Sequence, residues 1–206
     1  VETPYTIGIA GGSASGKTSM LNDLMNSEWK NSLSLVSQDN YYIEREKQFV
    51  DENGIINFDL PTAIDSGRFL EDLHALKCGN SITKTEYTFN NELATPKEIT
   101  VESAPIIIVE GLFIFHFEEI KNAMDYKVFV DAAQEVRLKR RIQRDQHERN
   151  YPESDVRYRW KHHVQPADEK FLQPYKAECE LVIDSTESYH RDFKELENHI
   201  KNILSS

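Results

Sequence analysis

The sequence predicts an α/β fold: three layers built on a parallel sheet of about five strands, with helices on both faces and a small β-hairpin inserted between Ile82 and Val101. Three observations carry this reading. Strand-like and helix-like segments alternate along the 206 residues, the pattern that a parallel sheet with helical crossovers produces. The run Ile106-Ile107-Ile108-Val109 is apolar at every position, as a strand covered on both faces must be. A glycine-rich stretch, Gly11-Gly12-Ser13-Ala14-Ser15-Gly16, separates the first strand-like run from the first helix-like one.

Taken in order, Tyr5 to Ala10 is short and β-branched, and Met20, Leu21, Leu24 and Met25 after the glycine-rich loop fall at helical spacing. Leu33 to Ser37 reads as a second strand, and Phe69, Leu70, Leu73 and Leu76 mark a helix ending near Gly79. Short alternating pieces around Asn90-Asn91 read as the inserted antiparallel hairpin, 82–101. Lys127-Val128-Phe129-Val130 and Leu181-Val182-Ile183 add buried strands, and Phe193, Leu196, Ile200 and Leu204 form the core stripe of a last helix. The length suits a single domain, 1–206, with room for a proper core.

Composition excludes several classes. A formal net charge of −11 argues against a nucleic-acid binder, which needs a basic face to displace counterions. Cys78 and Cys179, without C-x-x-C spacing, suggest neither a disulfide framework nor a zinc site. With no apolar signal segment before the first strand and no apolar run long enough for a bilayer, the expected location is the cytoplasm, with no membrane partner.

The chemistry begins at Gly11-Gly12-Ser13-Ala14-Ser15-Gly16-Lys17-Thr18, which satisfies G-x-x-x-x-G-K-[ST]. Its four fixed positions recur by chance in roughly one chain in a hundred of this length at average residue usage, and the strand before and helix after lower that further. Such a loop surrounds phosphate oxygens with backbone N–H groups at the positive end of a helix. The fold is therefore of the P-loop NTPase type, with ATP or GTP as donor, Lys17 reaching the β- and γ-phosphates and the Thr18 hydroxyl on Mg²⁺. Ligands in such sheets collect beyond the carboxyl ends of the strands. Asp39 after the second strand and Glu110 after the run Ile106 to Val109 stand there, placed to hold Mg²⁺ directly or through water. In an acidic chain, Arg137, Lys139, Arg140, Arg141, Arg144 and Arg149 make a basic cluster on one helix. They read either as a solvated face paired with Asp145 and Glu148 or as a lid over about 137–160 that stabilises the transferred phosphoryl group.

Taken together, the blocks Gly8-Ile9-Ala10-Gly11-Gly12-Ser13 into Gly16-Lys17-Thr18, Ser37-Gln38-Asp39-Asn40-Tyr41-Tyr42, Asn57-Phe58-Asp59-Leu60-Pro61, Glu110-Gly111, and Phe129-Val130-Asp131 before Arg137-Leu138-Lys139-Arg140-Arg141 resemble the uridine (uridine–cytidine) kinase family of P-loop kinases along nearly the whole chain. The resemblance implies transfer of a phosphoryl group to the 5′-hydroxyl of a nucleoside, uridine or cytidine, and a homo-oligomer, tetramer or dimer. It implies that Asp39 takes the hydroxyl proton and that Asp59 holds the ribose hydroxyls. Tyr42, Tyr87 and Phe89 would line the acceptor pocket, and Thr18, Glu110 and Asp39 would face the metal. Arg141, Arg144 and Arg149 match lid arginines, Arg141 also reaching the acceptor.

Departures fall in the positions that read the base. The family's hairpin histidine is replaced in the stretch Asn90-Asn91-Glu92, the lid's second arginine is Tyr151, and the glutamine of the next helix aligns with Arg159. A site that loses its hydrogen-bonding groups changes what it accepts, so a kinase of another riboside, a sugar phosphate, pantothenate or glycerate is the alternative. A nucleotide-dependent switch is a further one, weakened by the lack of an Asn-Lys-x-Asp signature. His116, His162 and His163 have no partner at ligand spacing and are expected at exposed helix positions.

Overall fold

The computed structural model describes residues 3–88 and 95–205. Five parallel strands form one sheet in the order β2-β5-β1-β6-β7, as the sequence predicts. They are β1 (Tyr5–Ala10), β2 (Leu33–Ser37), β5 (Ile106–Gly111), β6 (Tyr126–Asp131) and β7 (Leu181–Asp184). The remaining strands, β3 (Ile82–Thr85) and β4 (Glu98–Val101), pair antiparallel with Ile82 opposite Val101, which is the inserted hairpin. Its Asn90-Asn91 tip, with Phe89 and Glu92, lies outside the described residues.

Strand alternation divides the core. Ile106 and Ile108 pack on one face with Ile7, Ile9, Met20, Leu24, Leu196 and Ile200, the face covered by α1 (Lys17–Met25) and α8 (His190–Leu204). Ile107 and Val109 pack on the other with Phe69, Leu73 and Leu76 of α2 (Ser66–Lys77) and Ile120 of α3 (Glu118–Asn122). All four β5 residues are fully buried, and each contributes about 1.5–3 kcal/mol of apolar transfer. That burial holds the central strands far more firmly than any loop contact could.

The basic cluster lies on α4 (Gln134–Arg149), which stops where Asn150 takes a left-handed conformation at φ 54° and Pro152 follows. The chain then runs through α5 (Glu153–Arg159), a π turn (Trp160–Val164), α6 (Gln165–Ala167), a second π turn (Asp168–Leu172) and α7 (Gln173–Lys176). Among the described residues no helix is long and apolar enough to cross a membrane.

Chain reversal creates the crevice. From β1 the chain moves to β2 on one side of the sheet, and from β5 it crosses β1 to reach β6 on the other. Open parallel sheets leave a cleft above the carboxyl ends at such a point.

Candidate active site

The loop Gly11–Gly16 fills that cleft above β1. Ala14 and Gly16 have left-handed backbones, φ 60° and 96°, and the conformation costs an alanine roughly 1–2 kcal/mol. Interleaved left-handed residues make the backbone concavity that accepts anions, so the strain sits where an anion would relieve it. Gly12 is required sterically, because a Cβ there would run into the buried guanidinium of Arg137. Ser15 Oγ is buried with no hydrogen-bond partner. Lys17, on the first turn of α1, folds its ammonium back onto Gly11 O at 2.6 Å. Burial lowers its pKa, while Glu110 and Asp39 pull the other way.

Both acids reach the same place from neighbouring strands. β5 extends past the apolar run to Gly111, so Glu110 sits within the strand instead of following it, in register with Ile9 of β1 and Ser37 of β2. Ser37 Oγ donates to Glu110 Oε1 and accepts from the Asp39 backbone N–H at 3.3 Å. One hydroxyl thereby ties the end of β2 to the end of β5. Burial, then the neighbouring Asp39 charge, pushes Glu110 up to about 7, against the pull of Lys17 and the Ser37 hydrogen bond. Asp39 is the second residue of the 3₁₀ turn Gln38–Tyr41, which Ser37 caps. Burial dominates and raises the Asp39 pKa, with Lys17, Arg149 and Arg144 drawing it back down and Asp59 adding to the rise.

The arginines of α4 have different partners, Arg140 donating to Ser185 and Thr186. Arg141, Arg144 and Arg149 share one counter-ion, the buried Asp145: Arg141 Nε lies at 3.3 Å, Arg144 Nε at 2.9 Å and Arg149 Nη1 at 3.5 Å. Arg141 also donates to Ser13 Oγ at 3.0 Å and approaches Asp59 Oδ1 at 3.7 Å, bridging the phosphate loop to the acceptor side. The expected pairing with Asp145 is therefore present, but it is buried against the loop and is not a solvated face. Asp145 serves all three, Asp59 also approaches Arg141, and the charges of Arg149 and Arg144 act on Asp39. Arg137 stands apart from them. It is 2% exposed, pairs with Asp168, donates from Nε to Ser13 O at 3.0 Å and lies over the Trp160 ring.

On the acceptor side, Tyr42 is half-buried with Asp39 and Asp59 nearby, and desolvation followed by those two charges raises its pKa well above the usual phenol value. Its ring meets Tyr87 at 5.0 Å and Phe58 edge-on at 6.1 Å. Asp59 follows Asn57, whose side chain accepts the Asp59 N–H at 2.9 Å. The expected residues Lys17, Asp39, Asp59, Glu110, Tyr42, Tyr87, Arg141, Arg144 and Arg149 thus converge above β1, β2 and β5. Phe89, also expected here, lies outside the described residues.

Two expectations need correction and several residues went unforeseen. His163 is 2% exposed and bonds to Asp51 Oδ2 at 2.8 Å, so it is no surface histidine, because the π turn rotates it inward while His162 stays outside. His116 lies in the turn before α3, half-buried beside Phe171 and Tyr175. Asp168 carried no motif, and only a buried arginine could have called for it. Ser37 was visible as the first letter of its block, yet its bond to Glu110 depends on strand order that spacing does not reveal. Tyr151 lies under the Arg159 guanidinium at 5.6 Å, and Arg159 donates to Ile56 O at 2.9 Å.

A phosphate loop with an unpartnered buried hydroxyl, together with the oxygen donors Thr18, Asp39 and Glu110, fits a Mg²⁺–nucleotide. Mg²⁺ uses one or two carboxylates and takes its other oxygens from water and phosphate.

Residues 6–202 match the Phosphoribulokinase / Uridine kinase family. The chain is 36% identical over 180 residues to a uridine kinase of Brevibacillus brevis, covering 87% of this chain and 84% of that protein. It is 36% identical over 189 residues to a uridine kinase of Borrelia duttonii, covering 90% and 88%. The fold also resembles phosphoribulokinase from Rhodobacter spheroides, with a TM-score of 0.64 at 14% identity over 89% of this chain and 71% of that one.

Proposed function

The chain belongs to the Phosphoribulokinase / Uridine kinase family, and on that premise we propose that it is a kinase transferring the γ-phosphoryl group of ATP or GTP to the 5′-hydroxyl of a nucleoside, uridine or cytidine. The observation that carries this reading is the meeting of Lys17, Asp39 and Asp59 around one cleft, with Asp39 feeling the charges of Lys17 and Asp59 together. A donor loop and an acid able to bind a diol, both close to one carboxylate, are what an in-line transfer to a ribose needs.

In this reading the hydroxyl proton passes to Asp39. Burial raises its pKa above the ordinary carboxylate range, which makes it a stronger base, and general-base positioning is worth about 10²- to 10⁴-fold. Asp59 accepts hydrogen bonds from the ribose hydroxyls, and Tyr42 and Tyr87 wall the pocket, with Phe89 as a third aromatic. The backbone of Gly11, Gly12, Ser13, Ala14, Ser15 and Gly16 cradles the donor phosphates, and Lys17 reaches the bond that breaks. Arg141 and Arg144 balance charge spreading over the transferred group, and Arg149 binds the donor. Thr18, Glu110 and Asp39 would hold Mg²⁺, which would supply charge neutralisation on the donor phosphates. Segment 137–160 acts as the lid of a single kinase domain, and the protein works in the cytoplasm as a homo-oligomer, tetramer or dimer.

A second reading, a different riboside or another small alcohol as acceptor, is favoured by one observation. Arg159, aligned with a base reader, is engaged by Ile56 O and stacked on Tyr151, the other altered reader. Release of ADP or GDP from the purified protein, measured with uridine, cytidine, purine ribosides, pantothenate and glycerate, separates the two. Uridine or cytidine should stimulate most. Stimulation by a non-nucleoside alone would move the assignment to the second reading, and release that no acceptor stimulates would overturn both.

A further inference from the structure

Buried beneath the acceptor side is a lysine that the reading above does not use. Lys84 occupies an inward position on β3, where Ile82 and Lys84 are buried and Thr83 and Thr85 exposed. Only 5% of it is exposed. Its ammonium donates to Tyr41 Oη at 2.9 Å, and Tyr41 Oη donates to Asp72 Oδ2 of α2 at 2.7 Å. Tyr41 itself is 3% exposed and stacks on Phe69 with ring centroids 4.5 Å apart. The three side chains form a polar column running from the hairpin through the 3₁₀ turn into the helix beneath.

An ammonium is an expensive group to bury, and an unbranched apolar side chain could fill the same slot without the desolvation cost. Burial pushes the Lys84 pKa down to about 8, with Arg68 adding to the fall and Asp72 opposing it. What the charge supplies in return is direction. A two-stranded hairpin is marginal by itself in water, so its place against the protein depends on contacts with the body. A one-residue slip of a strand turns every side chain to the opposite face, and a slipped β3 would leave Tyr41 without its donor.

The turn that receives this lysine is the one that carries Asp39. Asn40 Oδ1 accepts the Tyr87 N–H at 3.1 Å, Tyr41 receives Lys84, and Tyr42 packs on the Tyr87 ring at 5.0 Å. Three consecutive residues after Asp39 therefore grip β3 and the segment just past it. We propose that Lys84 is a positioning residue that sets the hairpin in register on the Asp39 turn, so that Tyr87 and Asp39 face the same acceptor. The link to an acceptor rests on the kinase reading above; the link between hairpin and turn does not.

Lys84→Met removes the charge and keeps the length, and Lys84→Arg restores a donor. In Lys84→Met, hydrogen exchange at the Tyr87 amide should accelerate while the melting temperature holds or rises. The acceptor KM should climb about tenfold, the scale of a small misplacement at a reacting centre, with the ATP KM unchanged. Lys84→Arg should recover part of both losses. Unaltered Tyr87 exchange in Lys84→Met would overturn the proposal. So would parallel rises in both KM values with a lowered melting temperature, the mark of a merely structural residue. Should the wild-type protein accept no nucleoside, the kinase reading fails alone, because the exchange experiment contains no acceptor and still decides the hairpin link.

Discussion

The two rims of the cleft are built by different means. On the donor rim, Glu110, Lys17 and the phosphate loop hang from β1 and β5, whose residues Ile7, Ile9 and Ile106 to Val109 are fully buried. Backbone ladders and apolar packing fix those positions, and side-chain bonds such as Ser37 to Glu110 only trim them. On the acceptor rim, Asp59, Tyr42 and Tyr87 sit on irregular chain or just past a hairpin strand. They are held by side-chain bonds from Asn57, Asn40 and Arg141. The segment before Asp59 is pinned to α5 and the π turn after it in the same manner: Asp51 accepts from Tyr158 and His163 at 2.8 Å each, and Arg159 holds Ile56 O. A rim fixed by the sheet supports one chemistry and tolerates little change, whereas a rim fixed by exchangeable polar contacts can take a new acceptor without disturbing phosphoryl transfer.

That contrast is open to direct attack. Replacing the base has the largest expected effect: Asp39→Asn should lower kcat by about 10²- to 10⁴-fold and leave nucleotide affinity nearly intact, as nucleotide titration and steady-state rates would report. Lys17→Ala should cost about 10²- to 10³-fold in kcat/KM through lost electrostatic stabilisation, and should do so with every acceptor tried. An acceptor-dependent penalty would mean that the donor rim is not acting as a fixed unit. Asp59→Ala should raise the acceptor KM about 10- to 100-fold, as loss of a charged hydrogen bond of about 1.5–3 kcal/mol implies, with the ATP KM unmoved. Equal damage to both KM values would erase the division between rims.

The smallest effect concerns pH. Glu110 rises from its ordinary 4.5 to about 7 in the ligand-free protein, through burial first and Asp39 second. Between those values the native state holds a proton that the unfolded chain has released. Stability of the ligand-free protein should therefore decline as pH rises from about 4.5 to about 7 and level off above it. Denaturation midpoints across that range check the sign. Mg²⁺–ADP, by holding the carboxylate ionised, should flatten the decline and release protons on binding below about pH 7.

The same contrast explains what could be read in the residues. β1, the phosphate loop and β5 are legible because a doubly covered strand must be apolar throughout, and the anion loop needs glycine at its fixed places, Gly11 and Gly16. Asp39 and Glu110 follow from being near strand ends, although the extra length of β5 is invisible until its ladder with β1 is seen. The acceptor rim is legible only through family likeness, because Asn57, Asn40 and Tyr41 act through contacts between segments far apart in sequence. Lys84 reads as an ordinary hairpin lysine, and its burial depends on Tyr41 and Asp72 lying beneath it. His163 was misplaced for a similar reason: a π turn shifts the helical face by one residue, and sequence periodicity assumes a regular helix.

The central claim is that one carboxylate stands between the two rims and serves the acceptor hydroxyl. A crystal structure of the protein with Mg²⁺, a non-hydrolysable ATP analogue and uridine tests it most directly. The account predicts the analogue's phosphates in the Gly11–Gly16 loop and the 5′-hydroxyl within hydrogen-bond reach of Asp39, with the ribose diol on Asp59. A nucleoside bound away from Asp39, with the loop occupied and Asp59 unengaged, would contradict it.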